Sequence, residues 1–265
     1  MKFRAEGLSD TGRTRFNNED AYLIDDKLGL FLVSDGMGGH QAGEVASQLA
    51  IEVIQKYLSK KESGDVPTTG SDEWEVPGER DSDFSPEAVE LADSIRLANR
   101  IIYQVGEDDI NYRGMGCTVV ALLLPGSGRG IVANVGDSRI YLIRDATILQ
   151  LNEDHTLLNE YIKNDPDFMN KKEEFITGHL DHILVRALGS EPETEVDVHE
   201  IDICAGDRFL LCSDGLTDML TDDEILNVVE AEKKLDKLCQ KLVALANEKG
   251  GVDNITVVLV EIEEP

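Results

Sequence analysis

Two apolar runs in this chain end in the same acidic tripeptide. Leu30-Phe31-Leu32-Val33 leads into Ser34-Asp35-Gly36, and Phe209-Leu210-Leu211-Cys212 leads into Ser213-Asp214-Gly215. Each run suits a buried strand that delivers one carboxylate to its end. An Asp there is costly unless something pairs with it. The glycine that follows lets the backbone turn sharply and lets its carbonyl approach a ligand. Gly250-Gly251-Val252-Asp253-Asn254, just before Ile255-Thr256-Val257-Val258-Leu259-Val260, is a third acidic station, and Asn17-Asn18-Glu19-Asp20 a fourth. Acidic groups at several strand edges are what a hard cation needs, because Mg²⁺ and Mn²⁺ prefer oxygen ligands. Taken singly, each Asp-Gly is an ordinary turn, in a chain with 53 Asp and Glu among 265 residues. Taken together, the four stations point to a shared metal.

Composition narrows the field. The net charge of −28 opposes binding to nucleic acid or to an anionic membrane surface. It also repels phosphoproteins at long range, so a phosphate site here must be locally positive. No apolar stretch is long enough to span a bilayer, and Met1-Lys2-Phe3-Arg4-Ala5-Glu6 has no secretory apolar region, which leads us to expect a soluble cytoplasmic protein. Cys117, Cys204, Cys212 and Cys239 form no close pair, and buried reduced thiols are expected.

Residues 42–58 carry Ala46, Leu49, Ala50, Val53, Ile54, Tyr57 and Leu58 at helical spacing. Residues 59–86 turn polar and acidic around a lone Trp74 and read as an exposed insertion between two helices. Ser85-Pro86-Glu87 opens the second helix, with Ser as cap and Pro at its first position. Cys117–Leu124 and Ile131–Ile143 read as strands around a Gly-rich turn, and Thr221-Asp222-Asp223-Glu224 as a capping box. A last amphipathic helix stops at Gly250.

Eight motifs lie in order along nearly the whole chain. They are Asp10-Thr11-Gly12-Arg13-Thr14-Arg15-Phe16-Asn17-Asn18-Glu19-Asp20-Ala21, Ser34-Asp35-Gly36-Met37-Gly38-Gly39-His40-Gln41-Ala42-Gly43-Glu44-Val45-Ala46-Ser47, Gly114-Met115-Gly116-Cys117-Thr118, Asn134-Val135-Gly136-Asp137-Ser138-Arg139-Ile140-Tyr141, Asp154-His155-Thr156-Leu157, Arg186-Ala187-Leu188-Gly189, Ser213-Asp214-Gly215-Leu216-Thr217-Asp218 and Asp253-Asn254-Ile255-Thr256. Together they resemble the motifs of the metal-dependent Ser/Thr protein phosphatases of type 2C, in their bacterial form. Many motifs in order are far more specific than any one. The resemblance implies an α+β fold, a four-layer α/β/β/α sandwich with two antiparallel sheets, as one phosphatase domain over residues 1–265. Residues 152–185 match the mobile flap of bacterial relatives.

The resemblance also implies a site with two Mn²⁺ or Mg²⁺ ions. Asp35 resembles the bridging ligand, Asp214 and Asp253 the ligands of one ion, and Glu19, Asp35 and the Gly36 carbonyl those of the other. Asp20 resembles an outer residue holding metal waters, and Arg15 the phosphate-binding Arg. His40 is a candidate acid for the leaving alkoxide, although three residues separate it from Gly36 where animal enzymes have none. For a third ion Asp109 is the nearest candidate, at a spacing unlike the family's. Asp137 reads as half of a buried Asp–Arg pair, and His155 and His179 carry no catalytic role.

The implied activity is hydrolysis of phosphoserine and phosphothreonine monoesters on proteins, substrates of a partner Ser/Thr kinase, by attack of a hydroxide bridging the two ions. The alternative is a catalytically silent phosphopeptide-binding regulatory module. Arg15, Glu19, Asp20, Asp35, Gly36, Asp214 and Asp253 are all present, which favours the enzyme. An acidic Ca²⁺ buffer ranks last for want of an EF-hand loop.

Overall fold

The computed structural model describes residues 1–38, 42–63, 84–126, 128–165, 168 and 180–265. The apolar runs do form buried strands, and alternation along them builds the layers. In β3 (Leu30–Ser34), Phe31 and Val33 face one apolar cluster while Leu30 and Leu32 face another. In β11 (Arg208–Cys212), Phe209 and Leu211 join the same cluster as Phe31, while Leu210 and Cys212 point the other way. Successive side chains leave a strand on opposite faces, so a continuous apolar run serves two layers at once.

The shared cluster lies between two antiparallel sheets. One runs β1 (Lys2–Asp10), β12 (Ile255–Glu264), β11, β8 (Arg139–Arg144), β9 (Thr147–Gln150). The other runs β10 (Asp197–Asp202), β7 (Arg129–Val135), β6 (Val119–Leu123), β3, β2 (Ala21–Asp25). A small ladder joins β4 (Gly36–Met37) to β5 (Gly116–Cys117). Helices α1 (Ala42–Ser63) and α2 (Pro86–Asp108) cover the β3 sheet through Ala46, Ala50, Ile54, Leu91 and Ile95. Helices α5 (Asp222–Ala231) and α6 (Leu235–Glu248) cover the β11 sheet through Ile225, Leu238 and Leu242. The result is the expected α/β/β/α sandwich. Among the described residues there are also two short α-helices, α3 (Leu157–Asn164) and α4 (Asp214–Thr217), and a 3-10 turn at Ile110–Tyr112.

Local signals hold where they are self-contained. The Ser85 hydroxyl accepts from the Ala88 N–H at 3.3 Å, with Pro86 opening α2. Thr221 and Glu224 exchange both bonds of the capping box.

Other expectations change. Ile131–Ile143 is not one strand: it breaks at Gly136–Ser138, so that β7 and β8 lie in different sheets. Helix α1 runs on past residue 58 to Ser63, and residues 64–83, with Trp74, lie outside the described residues. So do 166–167 and 169–179 of the expected flap. The four cysteines are free, with Cys117, Cys212 and Cys239 buried but Cys204 exposed, so the buried reading fails at Cys204. Among the described residues no helix is long and apolar enough to cross a membrane.

Candidate active site

The four acidic stations converge on one cleft of about 860 Å³, lined by Arg15, Glu19, Asp35, Gly36, Asp214 and Asp253 among others. Asp35 leaves the end of β3 with its N–H on the Thr118 hydroxyl at 3.0 Å, and its carbonyl accepts the Thr118 N–H at 2.8 Å. Gly36 donates its N–H to the Glu19 carbonyl at 3.2 Å. A Cβ at Gly36 would meet the Gly43 carbonyl oxygen at 2.1 Å, so no other residue fits there. Asn254, buried beside Asp253, ties the first station to the last. Its Oδ1 accepts from the Glu19 N–H at 2.8 Å, and its Nδ2 donates to the carbonyls of Thr11 and Asn17, each at 2.9 Å.

The electrostatics are those of crowded acid. Burial first, and then the charges of Asp20 and Asp214, push Asp35 well above the usual carboxylate range. Burial and the neighbouring Asp253 also raise Asp214. Asp20 is pushed up to about 7, by burial and by repulsion from Asp214 and Asp253, against hydrogen bonds that favour its charge. Ser213 Oγ donates to Asp20 Oδ2 at 2.8 Å. Among the described residues, Asp20 Oδ1 and Asp214 Oδ1 are buried with no hydrogen-bond partner. Such orphaned acceptors carry a full desolvation cost. A bound cation would remove that cost and reverse the repulsion. The donor set, all oxygen on the acidic stations, fits Mg²⁺ or Mn²⁺. Arg15 is the cation on this wall, and its Nη2 donates to Asp253 Oδ2.

The structure brings Arg15, Glu19, Asp20, Asp35, Gly36, Asp214 and Asp253 to one place. His40 lies outside the described residues. Asp109 is absent from the cleft lining; its side chain accepts from the Asn111 backbone N–H and amide, both at 2.9 Å, and so closes a turn after α2. Among the described residues Asp137 makes no ion pair with an Arg. Arg139 instead grips Asp154, with Nη2 to Oδ2 at 2.6 Å, and Asp137 lines the cleft. Burial, Asp214 and Asp154 push Asp137 up to about 7. Asp137 follows the end of β7 with only Gly136 between, so the rule that found Asp35 and Asp214 would have found it too. Two further lining residues, His182 and Asp218, had no role assigned from the sequence, although Asp218 closes one of the motifs. One nitrogen of His182 and one oxygen each of Asp214 and Asp218 lie within 4.8 Å of one another.

Known proteins share this fold. The catalytic domain of serine threonine protein phosphatase PstP in complex with two manganese ions superposes with a TM-score of 0.78 at 31% identity, over 99% of both chains. The Mycobacterium tuberculosis serine/threonine phosphatase PstP/Ppp gives a TM-score of 0.80 at 31% identity, again over 99% of both chains. The fold is therefore that of a metal-dependent protein-serine/threonine phosphatase. The family model described as Protein phosphatase 2C matches residues 12–254. The serine/threonine phosphatase stp of Listeria monocytogenes is 36% identical over 262 residues, covering 97% of this chain and 95% of that protein. The chain belongs to the protein phosphatase 2C family.

Proposed function

We propose that this cleft hydrolyses phosphoserine and phosphothreonine on substrates of a partner Ser/Thr kinase, with two divalent cations held by Glu19, Asp35, the Gly36 carbonyl, Asp214 and Asp253. The observation that carries this is the cluster of buried, mutually repelling carboxylates with unpartnered oxygens on Asp20 and Asp214. Two such ions would supply positive charge against the phosphate and would lower the pKa of a bound water, so that it could serve as the nucleophile near neutral pH. The chain's own groups do the rest. Arg15 presents a planar guanidinium that can hold two phosphate oxygens at once, which Lys cannot. Asp253 accepts one of its donors and so fixes its position. Asp20, itself oriented by Ser213, offers its free oxygen to hold a water in place. Loading the site expels protons from the acidic cluster, so cation affinity should weaken as pH falls. Asp137 and Asp218, beside Asp214, replace Asp109 as candidates for a third ion.

The test is hydrolysis after chelation. Protein stripped with EDTA should be inactive on a phosphothreonine peptide and on p-nitrophenyl phosphate, and regain activity with Mn²⁺ or Mg²⁺. Peptide binding without turnover under any added cation would instead identify the silent binding module.

A further inference from the structure

Phe16 is fully exposed, at 100%, and it lines the same cleft as Arg15, Asp35 and Asp253. A single exposed apolar side chain is ordinary on a protein surface. What sets Phe16 apart is its mounting. The Arg13 N–H donates to the Gly251 carbonyl at 2.7 Å, and the Thr14 hydroxyl donates to the Val252 carbonyl. On the other side the Asn17 carbonyl accepts from Asn254 Nδ2 at 2.9 Å. The backbone is thus pinned before and after the ring, and the ordering cost of presenting it is already met by the fold. The ring buries nothing of its own domain. Val252, 46% exposed, emerges from the strand-end segment that pins this loop. With Leu184 they place apolar surface at the edge of a cleft whose remaining lining is mostly polar or charged.

We infer that Phe16 is a specificity-determining residue: it receives a bulky apolar side chain flanking the phosphorylated serine or threonine of a protein substrate. This rests on the phosphoprotein reading above. Phe16 adjoins Arg15 in sequence, so when Arg15 holds the phosphate, the residues next to the phosphorylated one pass over the Phe16 side of the cleft. Adjacent Cα atoms are only ~3.8 Å apart, in enzyme and substrate alike. An apolar flank covers the ring and leaves water. A small polar flank leaves the ring wet. The contact is remote from the reacting atoms and is made equally in ground and transition states, so it acts on KM.

The experiment compares matched phosphothreonine peptides carrying Leu or Ser on both flanks, with the full chain and Mn²⁺. Wild type should prefer the Leu peptide in kcat/KM. Phe16→Ala should lower kcat/KM for that peptide about tenfold, through KM, and bring the Leu/Ser ratio towards one. Phe16→Leu should retain most of the preference, and neither variant should lower Tm. No preference in wild type, a ratio unchanged in Phe16→Ala, or a clear loss of Tm would overturn the inference, the last by showing that the ring packs on its own domain. If wild type hydrolyses neither peptide nor p-nitrophenyl phosphate with Mn²⁺, the phosphatase reading itself has failed and this one falls with it.

Discussion

The two Ser-Asp-Gly strand ends begin alike and then diverge. After β3 the chain stays extended, and Gly36–Met37 pairs with Gly116–Cys117. After β11 it coils at once, and Asp214 opens α4. The serines part company too. Ser34 Oγ donates to the Thr118 carbonyl at 2.7 Å. Ser213, though placed as a helix cap, makes no cap bond; its hydroxyl donates to Asp20 and accepts from the Thr256 N–H at 3.0 Å. What the two ends share is a requirement for closeness. A Cβ at Gly36 would meet the Gly43 carbonyl oxygen at 2.1 Å, and one at Gly215 would meet the Asn254 carbonyl oxygen at 2.0 Å. The tripeptide dictates a short acid and a missing side chain. The segments packed against it decide which way the backbone goes.

Substitution at matched positions can break that comparison. The largest effect is expected from Asp35→Asn and Asp214→Asn, each of which would replace the charged oxygen of a proposed metal ligand with a neutral one. Both should lose at least about a hundredfold in kcat on p-nitrophenyl phosphate at saturating Mn²⁺. Near-wild-type turnover in either would refute that residue's assignment as a ligand. Gly36→Ala and Gly215→Ala come next: each forces backbone apart and should cost about 1–3 kcal/mol in urea denaturation, besides activity. Equal tolerance of alanine at both would show that close approach is not the shared constraint.

The serines sharpen the contrast. Ser213→Ala frees Asp20 and should weaken Mn²⁺ affinity about tenfold. Ser34→Ala should cost about 1 kcal/mol of stability and leave Mn²⁺ affinity alone. Identical Mn²⁺ titrations for the two variants would mean that the Ser213–Asp20 bond does nothing for the metal. The smallest effect is a reactivity pattern. Burial pushes the Cys117, Cys212 and Cys239 thiols up to about 12, whereas Cys204 is exposed. A thiol reagent at pH 8 should label one cysteine quickly in the native protein, and peptide mapping should find it at Cys204.

Features settled by a few neighbouring residues were legible in the sequence. The α2 cap, the capping box before α5 and the apolar runs of β3, β11 and β12 needed nothing from elsewhere in the chain. The acidic stations were legible because an Asp closing an apolar strand demands a partner wherever it sits. Asp137 obeys the same rule, but Arg139 two residues on offered a plausible partner, and only the packing reveals that Asp154 takes it. His182 carried no local signal at all, since its relation to Asp214 and Asp218 exists only in three dimensions. The break between β7 and β8 was invisible for a similar reason: both halves are apolar, and apolarity does not say which sheet a strand joins.

The bonds made by Asn254 have a consequence for the order in which the molecule can be built. Glu19 is held by a side chain from the far end of the sequence, and β1 pairs with β12 along its whole length. Translation proceeds from one end at ~5–20 residues per second, so the segment carrying Arg15 and Glu19 emerges tens of seconds before the strand that fixes it. Until residues beyond 254 leave the ribosome, β1 has no β12 to pair with and the cleft lacks Asp253. A nascent chain that has not yet exposed residues 253–264 therefore lacks both an acidic station of the cleft and the strand that pairs with β1.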